Sequence, residues 1–190
     1  VHEAMVFAAS YQAPTVFFMQ NNQWAISVPV SRQSRTPLHE RAAGYMPSFE
    51  VDGNDVLASY AVARFALDEA RAGRGPQAIE AVTYRRGAHT TSDDPTKYRT
   101  KAEEEAWAER DPIARMHAFL EKRGATTAFF ESVDEESRDF SADIRRRTLE
   151  LPNPGPEAMF DHVYTDDHPL MVEQQQWLAE YEESFEGGAA

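Results

Sequence analysis

The sequence predicts an α/β protein in which a parallel sheet is flanked by helices and followed by a helical C-terminal region. Three observations support this prediction. Residues 1–9 have apolar positions at helical spacing and precede a short apolar run at 15–20, which indicates a helix followed by a strand. A second short apolar run, 77–84, follows an Ala- and Leu-rich helical segment at 56–73. Charged amphipathic segments fill most of the chain after residue 100.

The first helix should turn one apolar face inward, made of Val1, Ala4, Met5, Ala8 and Ala9. No capping residue precedes it, so we expect the helix to be already under way at residue 1 and the chain to be a fragment of a longer protein. Pro14 then ends the helical pattern before the strand 15–20, which is expected to be buried.

The next elements begin after a polar, Arg-rich stretch at 31–41. Asp-Gly-Asn at 52–54 is a turn signal, and Asn54 or Asp55 can cap the helix 56–73, which should close at Gly73 or Gly75. Residues 77–84 are interpreted as the second strand. Two strands joined through a helix imply a parallel, right-handed crossover, with ligands bound beyond the carboxyl ends of the strands.

The composition of the chain changes after residue 100. Amphipathic helices are expected at 101–124 and 128–151, a break at PNPGP (152–156), and a last helix at about 170–185 before an irregular tail. The predicted organisation is a partial α/β domain over 1–100 and a helical extension packed on it over 101–190. Large apolar residues of these late helices are expected to be ordinary core, with subunit assembly as the alternative: Trp107, Phe119, Leu120, Phe129, Phe130 and Trp177.

Charge and composition restrict the possible partners. The 190 residues are 42% hydrophobic and carry a net charge of −13, so a broad nucleic-acid interface is not expected and any anionic ligand must be held locally. The chain has no cysteine, no long apolar span and no Arg-rich leader. We expect a soluble cytoplasmic protein without a membrane partner.

Two asparagines follow the first strand, at positions where polar side chains can have a chemical role. The amide oxygen of Asn22 and the main-chain carbonyl of Trp24 are neutral oxygen ligands of the kind that magnesium or calcium accepts. The alternative is an ordinary turn in which Asn21 and Asn22 bond to nearby main chain. The residues alone favour the turn.

His89 lies on the polar loop 85–99, which follows the second strand directly. An imidazole there can hold a phosphate, donate a proton or simply be a surface group. Both loops leave the carboxyl ends of strands predicted to be neighbours, so Asn22 and His89 are expected at one edge of the sheet.

Several motifs in order resemble one known family. The strings VHEAM (1–5), QNNQWAISVPVSRQ (20–33), VDGNDV (51–56) and GPQAIEAVTYRRGAHTTSDDPTKYR (75–99) resemble the alpha subunit of the thiamin-diphosphate-dependent decarboxylating component of 2-oxo acid dehydrogenase complexes. The wording TTSDDP is most similar to the branched-chain type. The resemblance implies a thiamin-diphosphate-binding-type parallel sheet for the first part of the chain.

The resemblance also assigns roles to residues. It implies that Asn22, through its side chain, and Trp24, through its carbonyl, bind Mg²⁺, whereas many members have glycine and tyrosine in place of Gln23 and Trp24. It places Gln20, Ile26 and Arg85 at the cofactor, thiamin diphosphate. His89 is implied as the catalytic residue near the reacting carbon, on a loop braced by Arg85 and Asp93 and closed by Tyr98 and Arg99. The opening Gly-Asp-Gly of the metal motif is expected upstream of Val1.

By resemblance, the expected function is oxidative decarboxylation of a branched-chain 2-oxo acid with transfer of the acyl group to lipoamide. The implied partners are a beta subunit in a heterotetramer and the lipoyl domain of the acyltransferase. Three alternatives remain open: a pyruvate dehydrogenase alpha subunit, an acetoin dehydrogenase alpha subunit, and a subunit-assembly fragment without catalytic activity.

Overall fold

A computed structural model describes residues 1–186. The expected irregular tail therefore lies outside the described residues, apart from Glu186, which ends the last helix. The α-helices are α1 (His2–Ser10), α2 (Val30–Gln33), α3 (Leu38–Ala42), α4 (Val56–Arg71), α5 (Lys101–Ala108), α6 (Pro112–Lys122), α7 (Thr127–Leu149) and α8 (Pro169–Glu186). The strands are β1 (Val16–Asn21), β2 (Trp24–Ala25), β3 (Val28–Pro29), β4 (Ser48–Asp52) and β5 (Gln77–Val82). Short 3-10 helices lie at Pro95–Lys97 and Pro156–Met159.

The main sheet has the strand order β1-β5-β4, and both pairs of neighbours are parallel. The predicted parallel pairing of the strands at 15–20 and 77–84 is confirmed, with Val16 opposite Gln77 and Asn21 opposite Val82. Strands β2 and β3 form a separate antiparallel pair just beyond the end of β1. The α/β class is therefore the one that the sequence predicted.

Strand β5 is central, and residues 77–81 are all buried. Successive side chains of a strand point to opposite faces. On one face Ala78 packs in a cluster with Met5, Ala42 and Met46. On the other face Ile79 and Ala81 pack with Val51 and Ala66, so α4 covers this side. The near-continuous apolar run of β5 is typical of a strand covered on both faces.

Helix α4 begins and ends as the sequence predicted. The side chain of Asp55 caps it by accepting a hydrogen bond from the N–H of Ala58 at 2.9 Å. At the other end Gly73 has a φ of 75°, and the N–H of Arg74 bonds to the carbonyl of Glu69. Of the two candidate capping residues and the two candidate glycines, the structure thus selects Asp55 and Gly73.

The elements between β1 and α4 differ from the prediction. Residues 48–52 form β4, so the sheet has three strands where two were expected, and α4 joins β4 to β5. The sequence did not predict β4, because the strand ends at Asp52, the first residue of the turn signal at 52–54. Residues 22–47, between β1 and β4, contain the β2–β3 pair and the two short helices α2 and α3, whose local sequence has no clear amphipathic period.

Three expectations about burial were wrong. Strand β1 is only half-buried, with Phe18 55% exposed, because it has a neighbour on one side only among the described strands. In α1, Met5 and Ala8 are buried but the other expected face residues are not. The large apolar residues of the late helices are not fully buried. Trp107 is half-buried and stacks on Tyr84, whereas Trp177 is 62% exposed.

The chain forms two compact units, Val1–Thr126 and a second beginning at Thr127. Helices α5 and α6 belong to the first unit, so the composition change at residue 100 is not where this unit ends. The division into 1–100 and 101–190 stays a prediction. Among residues 1–186 no helix combines the length and the apolar character needed to cross a membrane.

Candidate active site

The segment 21–24 turns sharply at the carboxyl end of β1. The Oδ1 atom of Asn21 accepts a hydrogen bond from the N–H of Gln23 at 3.0 Å. Oδ1 of Asn22 accepts one from the N–H of Trp24 at 3.1 Å. Two consecutive side-chain-to-main-chain bonds therefore form the turn, which is the geometry of the simpler alternative. An amide oxygen has a second lone pair, so Asn22 can still accept a cation.

Two residues of this segment have left-handed backbone conformations. Gln23 has a φ of 69° and Ile26 a φ of 55°. Such conformations cost about 1–2 kcal/mol for residues with a side chain. Both carbonyls are held, that of Gln23 by the N–H of Val30 at 2.9 Å and that of Ile26 by Nη2 of Arg85 at 2.6 Å. Strain maintained by its surroundings is common at functional positions.

The two predicted loops leave the sheet side by side. The N–H of Thr83 bonds to the carbonyl of Asn21 at 2.9 Å, and the N–H of Arg85 bonds to the carbonyl of Asn22 at 3.2 Å. The ladder between β1 and β5 thus continues past both strands. The rings of Trp24 and Tyr98 also pack together, with centroids 5.2 Å apart.

A hydrogen-bonded network holds the loop 85–99. Arg85 donates from Nη2 to the hydroxyl of Tyr98 at 2.9 Å, and this hydroxyl donates to Oδ2 of Asp93 at 2.5 Å. The same carboxylate oxygen accepts the N–H of His89 at 2.8 Å. These contacts match the predicted bracing by Arg85 and Asp93. The N–H of His89, followed by the Tyr98 hydroxyl, lowers the pKa of Asp93 below its ordinary value.

Arg99 closes the base of this loop. Its buried guanidinium donates to the main-chain carbonyls of Arg85 and Arg86 and, at 3.3 Å, to that of Gly87. Its Nε atom lies 2.5 Å from Oε1 of Glu104. These three hydrogen bonds from one guanidinium fix the main chain of residues 85–87, just before His89. The side chain of His89 itself is exposed.

The structure brings most of the predicted site residues to one edge of the sheet. Gln20, Asn22 and Trp24 line one cavity of about 270 Å³, which Arg41 also lines. Ile26 follows the cavity residue Trp24 by two positions, and its carbonyl accepts the hydrogen bond from Arg85 described above. His89 is linked to them through Asp93, Tyr98 and Arg85.

The chemistry of the oxygen donors fits a hard divalent cation. Asn22 offers an amide oxygen and Trp24 a main-chain carbonyl, and Mg²⁺ prefers oxygen ligands in octahedral geometry. Two neutral ligands leave the remaining positions for anionic groups, as a diphosphate would require. These residues therefore fit the metal and cofactor that the resemblance implies, as one part of a binding site.

Sequence reasoning missed a charged cluster below the asparagine turn. Glu80 and Glu50 are direct neighbours on adjacent parallel strands, and Nδ1 of His39 lies 2.9 Å from Glu80 and 3.3 Å from Glu50. Together these three groups could surround a cation, although nothing besides their proximity points to one. The signal was available, because a glutamate within the apolar run QAIEAV needs a partner once it is buried.

Comparison with known proteins gives a consistent set of relatives. A family model described as "Dehydrogenase E1 component" matches residues 1–150. The 3-methyl-2-oxobutanoate dehydrogenase subunit alpha of Mycobacterium tuberculosis is 46% identical over 184 residues, which is 95% of this chain and 50% of the relative. A pyruvate dehydrogenase E1 component subunit alpha from Acholeplasma laidlawii is 41% identical over 187 residues, covering 95% of this chain and 54% of the relative.

A third relative, the pyruvate dehydrogenase E1 component subunit alpha of Staphylococcus aureus, is 37% identical over 187 residues, covering 95% of this chain and 50% of the relative. The chain thus spans about half the length of these curated relatives.

Proposed function

The chain belongs to the family of dehydrogenase E1 components, and on that premise we propose that it forms part of the alpha subunit of a branched-chain 2-oxo acid dehydrogenase. The observation that carries this proposal is the meeting of the asparagine turn and the His89 loop at one edge of a parallel sheet, where Arg85 donates to the carbonyl of Ile26. The family supports thiamin diphosphate as the cofactor.

The proposed reaction is oxidative decarboxylation of a 2-oxo acid with transfer of the acyl group to lipoamide. Thiamin diphosphate supplies the carbanion chemistry of this reaction, as cofactors of this type do. The residues of the chain would bind and orient. Asn22 and Trp24 would hold Mg²⁺ through their oxygens, and Gln20, Ile26 and Arg85 would lie against the cofactor.

Charge explains why the metal is needed. The chain has a net charge of −13, which opposes the binding of a diphosphate. A divalent ion held by two neutral oxygens adds two positive charges at the place where the anion binds. Among the residues that the structure describes, Arg41 is the one cation lining the Gln20–Asn22–Trp24 cavity, so these residues offer little compensation there.

His89 is the proposed catalytic residue. Histidine is a common general acid or base in enzymes, and the bond from the N–H of His89 to Asp93 fixes its main chain while leaving the side chain exposed. We expect His89→Ala to reduce the rate of acyl transfer to a lipoyl domain by about a hundredfold and to reduce the rate of decarboxylation less. Separate assays of carbon dioxide release and lipoyl acylation measure the two steps. Unchanged acylation would remove His89 from the mechanism.

The proposed partners are a beta subunit, in a heterotetramer, and the lipoyl domain of the acyltransferase, in the cytoplasm. Support comes from large apolar side chains that α7 and α8 expose. Among them are Phe140 at 65%, Leu149 at 72% and Trp177 at 62% exposure. Large apolar side chains that are exposed in contiguous patches mark surfaces that bind other proteins, which is the role proposed for these two helices.

The test uses the complete alpha subunit assembled with its beta subunit, thiamin diphosphate, Mg²⁺ and a lipoyl domain. We expect 3-methyl-2-oxobutanoate to be turned over with a kcat/KM at least about tenfold above that of pyruvate, the scale of discrimination that an apolar pocket provides. A preference for pyruvate would support the pyruvate dehydrogenase assignment that the Acholeplasma laidlawii relative suggests. The absence of cofactor-dependent decarboxylation of any 2-oxo acid would contradict the proposed function.

A further inference from the structure

The carboxylate of Glu80 is a buried charge at the centre of the sheet. Glu80 lies on β5, the central strand, and is 2% exposed. Removing a carboxylate from water is costly unless the charge is paired and hydrogen-bonded. A glutamate in this position therefore needs dedicated partners, and these partners show which part of the protein the charge organises.

Both oxygens of Glu80 are engaged. Oε1 accepts a hydrogen bond from Nδ2 of Asn21 at 2.7 Å. Oε2 accepts the main-chain N–H of His39 at 2.8 Å and lies 2.9 Å from its Nδ1. Burial raises the pKa of Glu80, but the bonds from Asn21 and His39 outweigh burial and hold the pKa below its ordinary value.

Asn21 transmits this arrangement to the turn. The bond from Nδ2 to Glu80 fixes the orientation of the amide. Its Oδ1 atom therefore faces Gln23 and accepts a hydrogen bond from the main-chain N–H of that residue. The carbonyl of Asn21 is held by the N–H of Thr83. The amide group thus connects a buried charge to the main chain of Gln23, whose φ of 69° is unfavourable without such support.

We propose that Glu80 is a positioning residue for the turn Asn21–Trp24, acting through the side chain of Asn21. The carboxylate orients the amide of Asn21, which holds the main chain of Gln23 and thereby sets where Oδ1 of Asn22 and the carbonyl of Trp24 lie. Its bond to the N–H of His39 ties the start of α3 to the same point. The inference deepens the proposed function and rests on it, because these two oxygens are the proposed metal ligands.

The test replaces the acceptor by a group of equal size. The side chain introduced by Glu80→Gln has one acceptor oxygen and one NH₂ group. Its oxygen can accept a hydrogen bond from Asn21 or from His39, and its NH₂ group then faces the other donor. In the assembled enzyme we expect the Mg²⁺ and thiamin diphosphate dissociation constants to rise about tenfold to a hundredfold, the usual effect of losing a group that orients a metal ligand. The kcat at saturating cofactor should change little.

A second measurement does not depend on the loaded enzyme. In the enzyme without metal or cofactor, hydrogen exchange of the peptide containing residues 21–26 should be several-fold faster in Glu80→Gln, because the turn loses its support. Asn21→Ala should produce the same two changes. The double variant should be no worse than either single variant, since both changes break one chain of contacts.

Glu50→Gln is the matched control. Glu50 lies beside Glu80 at the same register and also approaches His39, but no hydrogen bond joins it to Asn21 within the described residues. This variant should leave cofactor affinity and exchange of 21–26 unchanged. Equal effects of both glutamate substitutions, or a loss of thermal stability in Glu80→Gln with unchanged affinity and exchange, would overturn the proposal. Failure of the wild-type enzyme to bind thiamin diphosphate would instead overturn the proposed function.

Discussion

At the scale of single residues, the turn 21–26 combines polar satisfaction with backbone strain. Asn21 and Asn22 each satisfy a main-chain N–H, while Gln23 and Ile26 occupy left-handed conformations. The sequence indicated the turn and its amide groups. It did not reveal the strain, since glutamine and isoleucine are not residues that predict a positive φ. The glycine that many family members have in place of Gln23 is the residue that this backbone favours.

Replacing Gln23 by glycine should therefore stabilise the protein. Gln23→Gly removes a left-handed side-chain penalty of about 1–2 kcal/mol and adds about 0.5–1 kcal/mol of unfolded-chain entropy, so a net gain of up to about 1.5 kcal/mol is expected. Urea denaturation of the alpha subunit measures it. Ala61→Gly, at an exposed right-handed position of α4, is the control and should lose about 1 kcal/mol. A loss of stability in Gln23→Gly would show that the side chain contributes more than its backbone costs.

The carboxylate of Asp93 should control the order of the His89 loop. In Asp93→Asn, the bonds to the N–H of His89 and to Tyr98 lose their charged acceptor, so trypsin should cleave after Arg86 several-fold faster at neutral pH. Asp94→Asn is the matched control, because the carboxylate of Asp94 hydrogen-bonds only to Thr96 among the described residues and caps a short 3-10 helix. Equal cleavage of the two variants would contradict this role of Asp93.

The same carboxylate gives the loop a defined pH dependence. The pKa of Asp93 is lowered in the folded protein from an ordinary value of 3.8, so its contribution is complete above that pH and is lost as the pH falls through the folded pKa. Hydrogen exchange of residues 86–92 should therefore distinguish wild type from Asp93→Asn at pH 7. The difference should disappear at a pH below the folded pKa.

At the scale of elements, one arginine joins three parts of the first compact unit. Nη1 of Arg115, on α6, donates to Oδ2 of Asp52 at 2.9 Å and to the carbonyl of Asn54 at 2.9 Å, and Nη2 donates to Oδ2 of Asp55 at 2.8 Å. Asp52 ends β4 and Asp55 caps α4. This contact places α6 at the end of the sheet although composition alone separated the helices after residue 100 from the domain before it.

Loss of this arginine should weaken the first unit. Arg115→Ala should lower the free energy of unfolding by about 1–2 kcal/mol; three charge-assisted bonds disappear, but the side chain is about a third exposed and solvent screens part of their strength. Arg115→Lys should recover only part of it, since an ammonium group lacks the planar fork. The control is Arg110→Ala, which loses one longer hydrogen bond of 3.4 Å to Asp52 and an exposed cation–π contact over Trp107, and which should cost less. An equal cost for both arginines would contradict the proposed joint.

How far the sequence predicted the elements depended on what defined each one. Strand β5 and helices α4, α7 and α8 were found because an apolar run or a helical period extends over their length. Helices α5 and α6 were predicted only as one helical segment, 101–124, because the short break between them interrupts the pattern for three residues. Strand β4 was missed because five residues, only one of them buried, lead straight into a turn. The exposed aromatic residues of α7 and α8 were misjudged, since an apolar helix face looks the same in sequence whether it packs within the chain or binds a partner.

At the scale of the whole molecule, an acidic chain is proposed to bind an anionic cofactor at one edge of its sheet. Topology explains why the site could be predicted: parallel neighbours β1 and β5 end at the same edge, so the two polar loops after them had to lie together. The supporting residues could not be found in this way. Glu80 contacts Asn21 across 59 positions of sequence, and only the register of the strands brings them together.

In the proposed site, Oδ1 of Asn22 and the carbonyl of Trp24 bind a divalent ion beside the loop of His89. The most direct test of this proposal is a crystal structure of the assembled enzyme with thiamin diphosphate and Mn²⁺, located by anomalous scattering. We predict a peak about 2.0–2.3 Å from both oxygens, the range of such ligands. A peak between His39, Glu50 and Glu80, with none beside Asn22, would contradict it.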